Sequence, residues 1–385
     1  MTSSTELPTP LSGPRFSSYL PDEVSWLLSD LSGVELEAPA EEREEAIQSG
    51  GAHYAESLPV EYQPSAEYQR LFADALDRTA RRVALGVGVV AELLRAERGE
   101  ELLLASLARA GTPVGILLRR WGLRAGLHWP HVAVSIVRGR GIDEVALRWI
   151  AAHHDPSAVV FVDGWTGKGA IVRELSAALA RFPGFSDDLA VLADPGHCVR
   201  TFGTREDYLI PSACLNSTVS GLVSRTVLNE RLLAPGRFHG AKFYADLAPV
   251  DASNRFLDVV SSWFDDVAPE VPAAVAVVRA QDRTATFTGW AEVERVSEHY
   301  DIGDVNLVKP GVGETTRVLL RRVPWRVLVR PEAELRHPDD LAHVRLLAAQ
   351  RGVVVEEVPG LSYSAIGLIH PRFTRGATGA DGRAV

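Results

Sequence analysis

Cysteine is scarce: Cys198 and Cys214 are the only two in 385 residues, too few for a disulfide framework or a structural zinc site. Long apolar runs are missing as well. No stretch approaches the roughly 18 to 20 consecutive apolar residues of a membrane span, and the first residues lack a basic start followed by an apolar core. There is no basic excess either. A formal charge of -10 argues against a surface coated for non-specific nucleic-acid binding, while leaving room for a local patch. These absences lead us to expect a cytoplasmic protein in a reducing compartment, with no membrane partner. What is present is ordinary for a folded chain, with 46% hydrophobic and 23% charged residues. The length exceeds the usual span of one hydrophobic core, so two domains are expected.

The hydrophobic pattern divides the chain. Residues 1–15 and 373–385 are polar and rich in Ser, Thr, Pro or Gly, which reads as two flexible ends. Apolar positions at helical spacing predict one long helix or two over 65–98. Short apolar runs at 101–107, 131–137, 158–162 and 189–193 then alternate with helical stretches at 114–121, 143–153 and 170–181. That alternation predicts a parallel sheet with helices on both faces, an α/β fold whose ligands bind at the strands' C-terminal ends. The pattern weakens over 235–272, and we read 266–285 as a linker. A second, smaller α/β sandwich is expected over 286–372, with helices at 290–299, 314–322 and 339–351 and strands at 325–329 and 353–358.

One turn stands out as a place for chemistry. The run Asp163-Gly164-Trp165-Thr166-Gly167-Lys168-Gly169 follows a strand and opens a helix. Glycines there bring unblocked N–H groups to a helix N-terminus, which suits a phosphate dianion, with Thr166 and Lys168 adding a hydroxyl and a charge. Asp163, unable to face a phosphate favourably, is left for sugar hydroxyls. Two familiar phosphate motifs fail on spacing. A P-loop needs Gly where Val162 stands and Ser or Thr where Gly169 stands. Gly164, Gly167 and Gly169 do not fall into the dinucleotide-binding spacing either. The plain alternative is a structural glycine-rich turn.

The segment 161–169 resembles the phosphoribosyl-pyrophosphate motif of type I phosphoribosyltransferases, and it departs from the pattern in having Gly164 where a second acid is common. The whole stretch from about Phe16 to Ser262 is similar to the phosphoribosyltransferase-like proteins of tellurium-resistance (Ter) stress operons, a family that also carries the label cysteine protease StiP. The strings 106–113, 162–169, 207–216 and 219–226 carry that resemblance. It implies a phosphoribosyltransferase-like domain over 16–265 with an N-terminal hood, phosphoribosyl pyrophosphate or a related sugar phosphate as ligand, and synthesis of a nucleoside-like metabolite beside other Ter-operon enzymes. Ala108, Arg109, Ala110, Gly111 and Thr112 then sit where the pyrophosphate loop belongs, and Arg138 and Arg140 where a mobile loop begins.

For such a transfer Arg109, Arg138 and Arg140 are candidates to neutralise pyrophosphate, because a guanidinium offers bidentate donors. Mg²⁺ is expected to bind through the substrate's phosphate oxygens rather than through protein ligands alone. Asp194, Arg205 and Asp207 are expected to overhang the acceptor site, with His53 in the hood. The StiP label calls for a thiol and an imidazole within reach of each other, so Cys214, Cys198 and His197 are the candidates of that second reading.

The run 308–317 resembles the Pelota-type RNA-binding domain, in whose relatives a Lys-x-Gly turn and an adjoining helix N-terminus meet RNA. Lys309, Gly311, Glu314, Thr316 and Arg317 match, and Gly313 replaces the Asn of the pattern. Structured RNA is thus a candidate partner, and an RNA-binding adaptor with a phosphoribosyl-sensing pocket is a third reading. The sequence does not fix whether the chain pairs as a homodimer.

Overall fold

The computed structural model describes residues 7–38, 57–61, 63–137, 139–229, 231–337 and 339–370. The expected hood residue His53 and the loop residue Arg138 lie outside them. Seven strands form the main sheet: β1 (Ser25–Leu27), β2 (Leu103–Ala108), β3 (His131–Val137), β4 (Gly141–Ile142), β5 (Val159–Trp165), β6 (Leu189–Ala193) and β7 (Thr201–Thr204). Their order is β1-β3-β2-β5-β6-β7, all parallel, with β4 folded back antiparallel on the end of β3. The expected α/β class is therefore present. The chain leaves β2 towards β3 on one side and returns to β5 on the other. Such a switch point opens a crevice at the strands' C-terminal ends.

Helices cover both faces. The longest, α1 (Ala66–Arg98), is capped by the Ser65 hydroxyl, which accepts the Tyr68 N–H at 3.4 Å. Small residues Ala80, Ala84, Gly86 and Gly88 let α1 lie close on the sheet and against α2 (Thr112–Arg124). On the other face α3 (Glu144–His153), held at its start by Asp143, and α4 (Ala170–Leu179) bury Leu147, Ile150 and Leu175. Beyond the sheet, the expected linker 266–285 is not a linker. It contains α5 (Val271–Ala280), whose Val271 and Val278 are buried in the cores on the two faces. Pro272 fits the first turn of a helix, so proline there marked a helix start rather than a boundary.

A second lobe follows, with α6 (Thr288–His299), β8 (Val308–Pro310), α7 (Val312–Arg321), β9 (Pro324–Val329), α8 (Ala342–Gln350), β10 (Val354–Glu357) and β11 (Ala365–Ile369). The four strands run β8-β11-β9-β10. One hydrophobic core continues between the lobes: Leu319, Leu320, Val344 and Ala365 belong to the same buried cluster as Leu209, Ala213 and Leu76. The Tyr68 hydroxyl donates to the Leu320 carbonyl at 2.5 Å, tying α1 to α7. Among the described residues no helix is long and apolar enough to cross a membrane.

Candidate functional site

The crevice between β2 and β5 opens into two cavities of about 360 and 260 Å³, which share Ala110, Trp165, Lys309, Glu314 and Arg317 and so form one cleft. Both lobes line it. The smaller compartment runs along the expected phosphate turn to the start of α4.

That turn is narrower than the sequence reading had it. Asp163, Gly164 and Trp165 belong to β5, since Asp163 pairs with Val191 and Trp165 with Ala193, and the bend begins at Thr166. β6 is long enough to carry the ladder that far. Alternation then sends Asp163 and Trp165 to the same face of the strand. Gly169 takes φ +79 before α4, and a Cβ there would lie 2.7 Å from the Phe287 ring, so glycine is required on both counts.

The donors of the turn divide in two. The Gly164 N–H donates to Asp163 Oδ1 at 2.8 Å, and the Thr166 N–H donates to Ala193 O at 3.0 Å. Thr166 Oγ1 donates to the Asp194 carboxylate. Lys168 turns to the second lobe, where its ammonium donates to Val305 O at 2.9 Å and to Asn306 Oδ1 at 3.2 Å. Both residues line the smaller compartment, with the Thr166 hydroxyl and the Lys168 ammonium already bonded to the protein. The open donors are main-chain ones. Among the described residues no protein acceptor receives the N–H groups of Gly167, Gly169, Ala170, Ile171 or Val172, at a helix start with no side-chain cap. Such a row of amides offers hydrogen bonds that an anion can take.

Asp163 sits beside that row, partly accessible from the cleft. Burial pushes its carboxyl up to about 6, against the opposing pull of the Gly164 amide and the Arg317 guanidinium. It is thus a carboxylate at neutral pH with unused acceptor capacity.

Arg109 lines the larger compartment. Its Nη1 donates to Val223 O at 2.9 Å and its Nη2 lies 3.8 Å from Glu61. In the same loop the Gly111 and Thr112 amides donate to Leu107 O and Arg109 O, and Ala108 pairs with Ser135 in the sheet, so these three are committed to the fold. Arg140 is exposed on the β3–β4 turn, where Glu174 of α4 accepts the Gly139 and Gly141 amides at 2.8 and 2.9 Å. The turn is pinned, which does not suit the expected mobile loop.

The expected acceptor-side residues are turned inward. Asp194 is fully buried; it accepts the Cys198 and Val199 amides at 2.9 and 3.0 Å and is ion-paired with Arg205. Arg205 in turn lies over the Phe202 ring at 3.8 Å. Asp207 reaches the second lobe, where it accepts the Val312 amide at 2.9 Å and the Ser364 amide at 2.8 Å. Burial outweighs these bonds and lifts its carboxyl to about 6. Both aspartates organise the fold behind the cleft. A short strand, β7, accounts for the surprise: it occupies residues expected to be an overhanging loop.

The thiols are also inside. Cys198 is 1% exposed, its Sγ is 3.6 Å from Gly167 O, and burial together with Asp194 pushes it up to about 12. His197 is half-buried; its carbonyl accepts the Thr286 and Phe287 amides, and burial lowers its imidazole. Cys214 is fully buried in the core beneath the 211–214 turn.

In the second lobe Gly311 caps α7, whose N-terminus already carries Asp207. Thr316 is fully buried, bonded to Val312 O at 2.7 Å and to His343 at 3.0 Å. Lys309, Glu314 and Arg317 face the cleft. The five residues matched to RNA contact therefore do not form an open RNA face. Sequence reasoning also passed over Ser212, Asn216 and Ser220 of the larger compartment. They lie in the strings 207–216 and 219–226 that carry the family resemblance.

Fold and cleft together define a parallel α/β protein with a two-compartment cleft at its topological switch point. Residues 17–261 match the family described as tellurite-like stress resistance cysteine protease StiP, and residues 287–371 match the PELOTA RNA binding domain. A protein named cysteine protease StiP from Acinetobacter baylyi is 36% identical over 324 residues, covering 81% of this chain and 84% of that relative. The chain belongs to the StiP family.

Solved structures with partial likeness include a hypothetical protein from Neisseria gonorrhoeae with bound ppGpp, at 18% identity and TM-score 0.21. It is covered over 66% of its length, just under two thirds, by 30% of this chain. A hypoxanthine-guanine phosphoribosyltransferase from Bacillus anthracis gives 13% identity and TM-score 0.23, covering 35% of this chain and 80% of that one.

Proposed function

We propose that this protein is a phosphoribosyltransferase-like enzyme of a tellurite-type stress response, binding phosphoribosyl pyrophosphate or a ribose 5-phosphate moiety. One observation carries the reading: a row of uncommitted amides at the start of α4 adjoins the Asp163 carboxylate in a cleft of ligand size. The amides suit the 5-phosphate, and Asp163 suits the ribose hydroxyls. Arg109 lies one compartment away, where a departing diphosphate belongs.

In such a transfer the bond from sugar C1 to the diphosphate oxygen breaks, the diphosphate keeps the electron pair, and an acceptor's lone pair closes on C1. The cationic sugar passing between them needs charge and position from the protein, not a nucleophile. Among the described residues no cluster of three His, Cys, Asp or Glu side chains is placed to hold a metal ion. Mg²⁺ would enter on the substrate's phosphate oxygens, neutralising leaving-group charge, with Asp163 and Glu314 the cleft carboxylates able to meet its water shell.

A cysteine protease is the second reading, favoured by the family's description and by the name of the Acinetobacter relative. The burial of both thiols speaks against it, since a nucleophilic cysteine needs access and a lowered pKa. The PELOTA match favours an RNA-binding role for the second lobe.

Calorimetry with phosphoribosyl pyrophosphate and Mg²⁺ on the wild type and on Asp163→Ala tests the proposal: saturable heat, lost in the variant, is expected. Mass spectrometry for released pyrophosphate then separates an enzyme from a sensor. Peptidase activity abolished by Cys214→Ser and untouched by Asp163→Ala would give the protein to the protease reading.

A further inference from the structure

We infer that the second lobe supplies part of the ligand site: Arg317, with Lys309 beside it, binds a diphosphate group in the larger compartment. The inference rests on the sugar-phosphate reading above and adds the residues that grip the ligand's other end.

Charge points there first. The larger compartment is lined by Arg109, Lys309, Arg317, Arg322 and Glu314, with Asn216 and Ser220 as neutral donors, and Glu61 lies 3.8 Å from Arg109. The smaller compartment already offers its own open amides at the start of α4. A ligand filling both would carry anionic groups at its two ends and neutral hydroxyls between them, beside Asp163.

Arg317 has the geometry of a prepared clamp. Its Nε donates to Ala213 O at 3.1 Å, and its Nη1 is held by Glu314 at 2.9 Å. The guanidinium lies over the Trp165 ring at 5.2 Å, so three neighbours fix its plane. Nη2 donates to no protein acceptor among the described residues. A planar guanidinium fixed in this way loses little freedom when it takes a phosphate oxygen. Arg317 also lines both compartments.

The same helix is closed to another use. The start of α7 is where a nucleic-acid phosphate would dock, and the Asp207 carboxylate occupies it. The element that resembles an RNA reader is thus turned onto a small-molecule cleft.

The test uses the full chain and two separate probes, inorganic pyrophosphate and ribose 5-phosphate, by calorimetry. Arg317→Gln is expected to weaken pyrophosphate about 10- to 100-fold, the loss of one charged hydrogen bond, and to change ribose 5-phosphate by less than about threefold. Arg317→Lys should recover part of the loss. Lys309→Gln, on β8 rather than α7, gives a second variant expected to weaken pyrophosphate alone. If the wild type binds both probes and neither variant affects pyrophosphate, the inference fails while the sugar-phosphate reading stands. If the wild type binds neither probe, both fall. Displacement of pyrophosphate by a structured RNA hairpin, itself lost in Arg317→Gln, would assign the cleft to RNA and overturn the inference.

Discussion

Gly196→Ala puts the architecture of the phosphate turn under direct strain. A Cβ at Gly196 would lie 2.2 Å from the Gly167 carbonyl oxygen, 2.9 Å from the Tyr363 hydroxyl and 3.0 Å from Cys198 Sγ. A carbon and an oxygen in contact keep about 3.3 Å, so the Gly167 peptide must move by about 1 Å. That movement weakens the Tyr363 hydroxyl bond to Gly167 O, now 3.1 Å long. Overpacking of this kind costs about 1 to 3 kcal/mol. Scaled to the unfolding entropy of a chain this long, melting should fall by roughly 1 to 4 °C. Binding should suffer more, because Gly167 and Gly169 present the amides: a 1 Å error at such a site is worth about 10- to 100-fold. Thermal melting and calorimetry with ribose 5-phosphate read the two effects. Gly303→Ala, with no atom within 4 Å of the added carbon, is the control and should stay within about 0.5 kcal/mol. Unchanged melting and unchanged affinity in Gly196→Ala would refute the described contact and its coupling to the site.

Three further outcomes are expected. Asp163 ionises near 6, its pKa raised by burial, so the hydroxyl-accepting form is gained as pH rises through that value. Affinity for ribose 5-phosphate, taken as the ratio of wild type to Asp163→Asn so that the probe's own titration cancels, should climb between pH 5 and 7; a flat ratio sinks the assignment. Lys168→Met removes bonds to Val305 O and Asn306 and should cost about 1 to 3 kcal/mol in chemical denaturation, with ribose 5-phosphate affinity held within about threefold. A large loss of affinity would mean that the ammonium meets the ligand after all. Finally, native alkylation at pH 7.5 should label neither Cys198 nor Cys214, both buried, whereas urea should expose both; rapid native labelling of either would contradict the burial.

The sheet was legible because its strands are short, largely apolar runs: β2, β3, β5 and β6 are covered on both faces, and Ser106, His131, Ser135 and Asp163 are their only polar residues. Where glycine interrupts the run, the signal fades. β7 contains Gly203, whose missing side chain admits the Gly86 backbone, and β11 contains Gly367 against α7; neither was read from the sequence. In the turn, Gly169 was visible because its φ of +79 favours glycine. Lys168, Asp194 and Asp207 were misplaced. The partners of Lys168 and Asp207, Val305 and Val312, come from the other lobe, and Asp194 is turned inward by the Cys198 and Val199 amides and by Arg205 beyond β7. The segment 266–285 misled through Pro272, which opens a packed helix instead of breaking the chain.

The bond from Asp207 into α7 bears on how this protein can be divided. A chain severed ahead of α6 would leave the Asp207 carboxylate without its Val312 and Ser364 donors and would bare the seat of Leu319 and Leu320 to water. Each half would then carry an unsatisfied face that the other was shaped to cover. Exchanging the second lobe for a foreign one would break the same fastening, so the two parts must be inherited, and altered, as a pair.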